Sequence, residues 1–527
     1  MQKANPELAA VAPVVAGPDK VPEQPPGNAH LRTDHLRADI GKRAVAGGFV
    51  TAIGQGGRFG LYILSTVLLS RLLAKEDFGL IAMVGVLTGF LRIFREGGLS
   101  TATVQKENIT HDQVSNLFWI NVGLGLITAL IGVAASPAMA WVFRDDRLVA
   151  ITALLSCTFL LSGTSVQHVA LLNRQMRFKA IATIDLSSMT ASLVVGVVMA
   201  LRGWGYWSLV GSQLSASLSE LALAWTFSKW RPQLPKRGMG TRSMLNFGAS
   251  LTYATLLRRI TSTMDSLIIG RYFGAGPLGL YSRGMALLMR PLDQFVIPFD
   301  MVFIPLLSRL QNEPERYRRT FLRVNDTIAM LSFPLAAILI GLARPIVLLL
   351  LGARWEAVVP IFAWLSLAAI YYPLACIAMW LPTTQGRKKD IVKLGTVISS
   401  ISVCSYLAGL PFGVEGVAAA FSMSGLLVRL PIQYFIIGGE GPVSRRDLWS
   451  SFVRSLPLLI CCYIVATGVR WSVAGQAPVV QLLLAVPSAL VVAGLLIWFT
   501  PHQRKTALEM WGQFSGFFGK FRNRRAA

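Results

Sequence analysis

Long apolar stretches separated by short polar connections make up most of this chain after residue 45. A helix that crosses a bilayer needs about 20 apolar residues. Stretches of roughly that length lie at 46–69, 78–94, 114–135, 148–171, 179–201, 206–228, 246–270, 278–304, 322–343, 357–381, 391–410, 414–437, 453–470 and 478–499. The segment 344–356 between two of them is expected at the membrane interface. The pattern predicts an all-α polytopic membrane protein with about fourteen transmembrane helices.

Composition supports this class of protein. Hydrophobic residues make up 53% of the chain and charged residues 14%, whereas a soluble globular protein carries about 25% charged residues. The five cysteines all fall in apolar stretches without the spacing of a metal site, so no disulfide framework and no metal ligands are expected. The connections on the side opposite the N-terminus are short, and no glycine-rich phosphate-binding motif is present. These features argue against an enzyme.

The net charge of +24 is explained by membrane topology. With fourteen spans, 34 Lys and Arg residues fall on the side of the N-terminus and 9 on the opposite side. Cytoplasmic loops of membrane proteins carry such an excess of positive charge. We therefore expect a multi-pass protein of the bacterial inner membrane with its N- and C-termini in the cytoplasm. Nucleic-acid binding is not expected.

Charged residues inside the predicted spans are candidate functional residues. A charge at bilayer depth costs about 2.5–3.5 kcal/mol even on lenient scales, so it persists where it faces water, a partner or a ligand. The candidates are Arg58, Arg258, Arg283, Arg290 and Asp265. Residues seven apart share a helix face, as do Arg258 with Asp265 and Arg283 with Arg290. The pattern indicates a cationic, water-accessible cavity in a helical bundle.

The segment Leu251–Asp300 partly repeats the first two spans at an offset of 200 residues. The identities pair Gly48 with Gly248, Arg58 with Arg258, Arg71 with Arg271, Gly79 with Gly279 and Leu80 with Leu280. Six spans in each copy is an even number, so both copies enter the membrane from the same side and form parallel repeats. We predict two six-helix lobes around a central cavity, with Arg58 and Arg258 paired across a pseudo-two-fold axis.

The predicted organisation has six parts. They are a disordered cytoplasmic tail (1–45), an N-lobe (46–228), a cytoplasmic linker (229–245), a C-lobe (246–437), two extra helices (453–499) and a basic amphipathic cytoplasmic tail (500–527). The last part has the composition of a helix that lies on an anionic membrane surface.

Three stretches resemble a known family. The run LLSRLLAKEDFGLIAMVGVLTGFLRIFREGGLSTATVQKENITHDQVSNLFWINVGLG, the segment LLNRQMRFKAIATID and the segment GWGYWSLV are similar to Wzx-type flippases of O-antigen and exopolysaccharide. These flippases belong to the multidrug/oligosaccharidyl-lipid/polysaccharide exporter superfamily. The resemblance covers about residues 46–437 and implies two lobes that rock to expose a cavity to alternate sides. Fourteen spans exceed the twelve of many polysaccharide flippases and match the lipid II flippases.

The resemblance also implies a cargo and a binding site. The expected cargo is an undecaprenyl-pyrophosphate-linked oligosaccharide for surface polysaccharide synthesis, with bilayer lipids and polysaccharide polymerase machinery as further partners. Arg58, Arg258, Arg283 and Arg290 would bind the pyrophosphate, because a guanidinium stays charged and grips phosphate with two hydrogen bonds. Asp265 is either a coupling site for H⁺ or Na⁺ or a counter-ion for Arg258. An ion-coupled multidrug antiporter of the same superfamily is the alternative function. No other cofactor is expected.

Overall fold

The computed structural model describes residues 40–95, 100, 103–104, 109–236 and 263–509. The part before residue 237 forms the first lobe. Its helices are α1 (Ile40–Leu72), α2 (Lys75–Arg95), α3 (His111–Ala134), α4 (Ser136–Phe143), α5 (Arg147–Arg174), α6 (Phe178–Leu201) and α7 (Trp207–Ser228).

The second lobe and the two extra helices follow residue 262. The helices are α8 (Met264–Phe273), α9 (Ala275–Arg309), α10 (Pro314–Gly341), α11 (Ala343–Leu350), α12 (Val358–Ser366), α13 (Ala368–Ala378), α14 (Trp380–Thr384), α15 (Lys388–Gly409), α16 (Gly413–Ser424), α17 (Leu430–Ile437), α18 (Arg445–Ser472) and α19 (Pro478–Phe499). A π-helical turn at Gly425–Arg429 joins α16 to α17.

The helical architecture predicted from the sequence is confirmed. Of the described helices, eight are long and apolar enough to cross a membrane, or nine if the bent pair Val358–Ser366 and Ala368–Thr384 is one span. One of the eight, Lys388–Ile437, covers two predicted spans. The helices at predicted spans 46–69 and 78–94 are less apolar because they carry charged and polar side chains. The total of about fourteen spans stays a prediction.

Several helices extend beyond the apolar stretches that predicted them. The helix α18 begins at Arg445, eight residues before the predicted span at 453, and Ser444 and Asp447 cap each other's backbone N–H groups there. The helix α3 begins in the same way after Thr110, with Gln113 as its capping partner. A reciprocal cap of this kind satisfies donors that the first helical turn leaves free. Hydropathy detects the part of a helix in the membrane, whereas the cap determines where the helix starts.

The two lobes meet where α2 packs on α9. A Cβ atom at Gly79 would lie 1.7 Å from the Ala275 carbonyl oxygen, and one at Gly279 would lie 1.9 Å from the Lys75 carbonyl oxygen. The four residues are pairwise 200 apart, so each contact is the image of the other. This reciprocity is what the predicted pseudo-two-fold axis requires. Glycine is needed at both positions because any side chain would collide with the opposite backbone.

One end of the bundle contains the turn at which α1 finishes, and we call it the far end; the opposite end is the near end. At the far end a cavity of about 430 Å³ is lined by residues from the turns after α1, after α6 and before α12. Strongly exposed aromatic side chains lie at both ends: Trp141, Trp204, Tyr272, Phe412 and Trp471 at the far end, and Trp498 and Phe499 at the near end. Aromatic rings are enriched where a membrane surface meets water, so these side chains indicate the two membrane boundaries.

At the near end, the described part of the predicted linker lies along the start of α3. The side-chain amide of Asn116 donates to the Lys236 carbonyl at 2.6 Å and accepts from the Lys236 N–H at 2.9 Å. The indole of Trp119 donates to the Gln233 carbonyl at 2.8 Å. Residues 230–236 are therefore attached to the first lobe.

The extra helices pack on the second lobe, α18 against α10 and α19 against α18. A further helical segment, 501–509, belongs to the predicted C-terminal tail. It is held to the bundle by a 2.9 Å ion pair between Arg323 and Glu509 and by a 2.9 Å contact between His502 and Asp326.

Candidate functional site

The helices α1 and α9 face each other across the space between the lobes. The hydroxyl of Tyr62 on α1 donates to the Ala286 carbonyl of α9 at 3.4 Å. The guanidinium carbon of Arg290 lies 5.4 Å from the centroid of the Tyr62 ring. Arg58 precedes Tyr62 by four residues and so occupies the same face of α1. Arg58 and Arg290 therefore approach the inter-lobe space from opposite lobes.

Arg58 is joined to an aspartate that the sequence analysis did not select. Its Nη1 donates to Oδ2 of Asp185 on α6 at 2.6 Å. The two side chains are 34% and 35% exposed, so the pair is open to solvent on one side. Asp185 is the single charged residue of its apolar stretch beyond Lys179. The rule that selected Asp265, a carboxylate inside a span, would have found it.

Arg283 lies on the same face of α9 as Arg290, as their spacing of seven residues predicted. Its guanidinium carbon is 3.7 Å from the centroid of the Phe78 ring on α2. Its Nε is buried without a hydrogen-bond partner. Within the described ranges, no carboxylate lies within ion-pair distance of Arg283 or Arg290. The α9 face thus presents two positive charges to the first lobe, one over each of two aromatic rings.

The far side of this site is closed by contacts between the lobes. The indole of Trp355, from the second lobe, donates to the Ser70 carbonyl of α1 at 2.7 Å. Its ring packs edge-on against Phe78 with a centroid distance of 5.4 Å. Arg71 donates to the Leu349 carbonyl at 2.9 Å. Together with the glycine crossing of α2 and α9, these contacts seal the far end.

Asp265 lies in the second lobe and is buried at 8% exposure. Its Oδ1 accepts from the Ser266 N–H at 2.6 Å. The buried hydroxyl of Tyr281 is its electrostatic neighbour, although that hydroxyl makes no hydrogen bond of ordinary geometry. Tyr406 is also close enough to Asp265 to interact with its charge.

A buried arginine completes this polar cluster of the second lobe. Arg429 donates to the Tyr371 hydroxyl at 3.0 Å, to Ser402 Oγ at 3.1 Å and to the Phe421 carbonyl at 2.5 Å. Its guanidinium carbon lies 4.2 Å from the Phe421 ring centroid. The cluster is a packed part of the lobe and is separate from the open Arg58–Asp185 pair.

One predicted site residue, Arg258, lies outside the described residues, so its pairing with Arg58 and with Asp265 stays a prediction. The structure brings Arg58, Arg283 and Arg290 to the inter-lobe face and places Asp265 inside the second lobe. The sequence analysis missed Asp185, Tyr62 and Phe78. In the part of the chain that the structure describes, no group of three or more His, Cys, Asp or Glu side chains could hold a metal ion.

Comparison with known proteins identifies the family. Residues 68–360, more than half of the chain, match the family described as polysaccharide biosynthesis protein. The lipopolysaccharide biosynthesis protein WzxC of Escherichia coli K12 is 22% identical over 449 residues, which are 82% of this chain and 89% of that protein. The succinoglycan biosynthesis transport protein ExoT of Rhizobium meliloti is 25% identical over 320 residues, which are 60% of this chain and 64% of that protein. The chain belongs to this family of polysaccharide biosynthesis proteins, and its resemblance to Wzx-type flippases is confirmed.

The fold is shared with solved transporters. The lipid II flippase MurJ in an inward closed conformation superposes with a TM-score of 0.67 at 14% identity, over 86% of this chain and 98% of that chain. A multidrug resistance MATE transporter in an inward-facing conformation superposes with a TM-score of 0.56 at 11% identity, over 77% of this chain and 95% of that chain. The two-lobe fold of these transporters is therefore the fold of this protein.

Proposed function

We propose that the protein is a flippase that carries an undecaprenyl-pyrophosphate-linked oligosaccharide across the bacterial inner membrane, for the synthesis of a surface polysaccharide. The observation that carries the proposal is that Arg58 lies on the face of α1 that meets α9, while Arg283 and Arg290 lie on the face of α9 that meets the first lobe. Membership of a polysaccharide biosynthesis family supports the choice of cargo. The protein is a transporter and catalyses no covalent step.

The arginines suit a diphosphate held between two moving bodies. A guanidinium keeps its charge and binds phosphate oxygens through two parallel N–H groups. Arg58 comes from the first lobe and Arg290 from the second, so a diphosphate bound by both would draw the lobes together. Each charge-assisted hydrogen bond contributes about 1.5–3 kcal/mol. Arg258 is expected to add a further contact from the second lobe.

The closed far end indicates from which end the arginine face is reached in the described conformation. In the described conformation, Trp355 and the Gly79–Gly279 crossing separate the arginine face from the far end. We infer that the near end is cytoplasmic, because it carries the excess of Lys and Arg. The cargo head group enters from the cytoplasm, and opening of the far-end contacts releases it to the periplasm. The polysaccharide polymerase machinery would receive it there.

Asp265 is the proposed coupling site. A buried carboxylate with no cation among its described partners can bind H⁺ or Na⁺, whose charge offsets the cost of burial. It lies next to Tyr281 on α9, the helix that also carries Arg283 and Arg290. Binding of the ion can therefore change the position of the helix that holds the cargo. Arg258 as a counter-ion is the alternative role.

Topology reporters test the orientation. Fusions after Pro137, Gly274 and Gly413 should report the periplasm, and fusions after Pro235 and Arg387 the cytoplasm. A reversed signal at any of these positions would contradict the proposed arrangement of spans.

Complementation tests the function. The gene should restore surface polysaccharide to a strain that lacks its own flippase for a compatible glycan, and an Arg58→Gln/Arg290→Gln double variant at equal abundance should not. An ion-coupled multidrug antiporter, whose fold the chain shares, predicts a different outcome. That outcome is drug resistance without restored polysaccharide, and it would overturn the flippase assignment.

A further inference from the structure

The ion pair between Arg58 and Asp185 has a looser geometry than the bidentate pair between Arg318 and Asp447. At the near end, Arg318 contacts Asp447 through two hydrogen bonds, Nε to Oδ2 at 2.9 Å and Nη2 to Oδ1 at 2.6 Å. Arg58 and Asp185 share one hydrogen bond, from Nη1 to Oδ2. Within the described ranges, the rest of the guanidinium fork and the second carboxylate oxygen make no further hydrogen bond. A single bond in a half-exposed pair is one that a better ligand can replace.

The backbone around the pair is fixed independently of the charges. A Cβ atom at Gly54 would lie 3.3 Å from the Ala182 Cβ, and one at Gly57 would lie 3.1 Å from a Leu186 methyl group. These contacts between α1 and α6 lie on both sides of Asp185 in the sequence. Close helix packing of this kind holds membrane helices together without polar contacts. The carboxylate is therefore held beside Arg58 by the fold, and its removal should leave the helices in place.

The position of Arg58 exposes the pair to the cargo. Arg58 shares its helix face with Tyr62, which contacts α9 of the opposite lobe. The charge that acts on Asp185 within the described structure is that of Arg58. A diphosphate that binds the Arg58 guanidinium with two hydrogen bonds would therefore break the ion pair between Arg58 and Asp185. It would also bring two negative groups close together, which is unfavourable in a medium of low dielectric constant.

We propose that Asp185 is a placeholder anion, which occupies Arg58 in the empty transporter and is displaced when the diphosphate of the cargo binds. This role rests on the proposed function and adds a specificity-determining residue to it. Asp185 keeps Arg58 neutralised between cycles and makes binding of weaker anions unfavourable. It returns to Arg58 on the releasing side and so helps to expel the product. Such a competitor lowers the affinity for cargo and raises the rate of release.

A binding measurement separates this role from a structural one. The purified full-length protein in detergent is titrated with undecaprenyl diphosphate and, separately, with undecaprenyl monophosphate. Arg58→Gln should weaken binding of the diphosphate about tenfold or more, the effect of losing one charge-assisted contact. Asp185→Asn should instead tighten binding of the diphosphate about tenfold. It should also narrow the difference in affinity between the diphosphate and the monophosphate. In translocation assays the same variant should lower both the KM and the maximal rate.

The control is Asp145→Asn, which removes a carboxylate from the exposed far-end pair that Asp145 forms with Arg147. It should leave affinity and rate unchanged. Unchanged or weakened diphosphate binding by folded Asp185→Asn protein would overturn the placeholder role. If that variant does not fold, Asp185→Ser should show the same tighter binding of the diphosphate. Failure of both variants to fold would show that the carboxylate is structural and would also overturn it.

The design distinguishes this inference from the proposed function. If the unaltered protein binds neither lipid phosphate, the cargo assignment fails and the placeholder role fails with it. If the unaltered protein binds the diphosphate through Arg58 but Asp185→Asn binds it no better, the flippase assignment stands and the placeholder role alone is wrong.

Discussion

The two lobes repeat the same backbone contacts with different chemistry. Ser70 at the end of α1 is covered by Trp355 from the second lobe, which donates a hydrogen bond to the Ser70 carbonyl at 2.7 Å. The position 200 residues later is Gly270, which is covered by Phe143 from the first lobe so closely that a Cβ would lie 2.6 Å from the ring. Each lobe thus inserts an aromatic ring into the other. One of the two contacts is polar and the other is apolar.

The interiors of the lobes differ in the same way. The first lobe holds the pair of Arg58 and Asp185, each about one third exposed, at a position that opens between the lobes. The second lobe buries Asp265 and Arg429, each at 8% exposure. The repeat therefore preserves the surfaces on which the lobes meet. The pair in the first lobe is left available to cargo, whereas the groups in the second lobe are enclosed, as an ion site or a structural cluster requires.

The largest effect is expected from Arg429→Ala in the second lobe. The change removes hydrogen bonds to Tyr371, Ser402 and the Phe421 carbonyl and leaves a cavity. It should lower the free energy of unfolding by about 2–5 kcal/mol, the range for emptying a buried site of this size. Arg58→Ala should cost about 1 kcal/mol or less, since half-exposed ion pairs contribute little to stability. Thermal unfolding in detergent measures both, and equal losses would contradict the contrast between the lobes.

A smaller loss is expected at the crossing of the lobes. Gly79→Ala puts a methyl group against the Ala275 carbonyl and forces α2 and α9 apart, which should cost about 1–3 kcal/mol as overpacking does. It should also open the far end to a membrane-impermeant thiol reagent directed at a cysteine introduced at Leu73. The control is Gly85→Ala on the same helix, where a Cβ meets no atom within 4 Å. Equal thiol labelling of both variants would show that the crossing does not seal the far end.

The smallest effect is expected from Trp355→Phe. The ring still packs against Phe78, but the hydrogen bond to the Ser70 carbonyl is lost, so the second lobe's contact becomes apolar like that of Phe143. The substitution should lower the free energy of unfolding by about 1 kcal/mol. It should also raise far-end thiol labelling a few-fold. Phe143→Leu, which removes an aromatic ring but no hydrogen bond, is the comparison. A greater increase in labelling for Phe143→Leu would reverse the ranking of the two contacts.

Features that depend on local patterns could be predicted from the sequence. The helices follow from apolar stretches, and the shared face of Arg283 and Arg290 follows from their spacing of seven residues. The correspondence of Gly79 with Gly279 came from the 200-residue offset, and the reciprocal backbone contact is what that offset leads one to expect.

Contacts between distant parts of the chain could not be predicted in this way. Asp185 is 127 residues from Arg58, and a lone carboxylate in a span does not reveal which cation it meets. Trp355 lies in the segment 344–356, for which hydropathy predicts an interfacial position. Its contact with Ser70, 285 residues away, depends on how the two lobes pack. Such pairs are determined by tertiary packing, which the pattern of residues along the sequence does not report.

Translocation of a radiolabelled undecaprenyl-pyrophosphate oligosaccharide in proteoliposomes measures whether arginines from both lobes hold the cargo. Partial transport is expected from Arg58→Lys and Arg290→Lys, which keep the charge but lose the fork. Each Gln variant should lose about ten- to hundredfold in transport, and the Arg58→Gln/Arg290→Gln double variant should show no detectable transport. Arg271→Gln, at an exposed position, should transport normally. Full transport by the double variant at normal abundance would contradict the claim that arginines from both lobes hold the cargo.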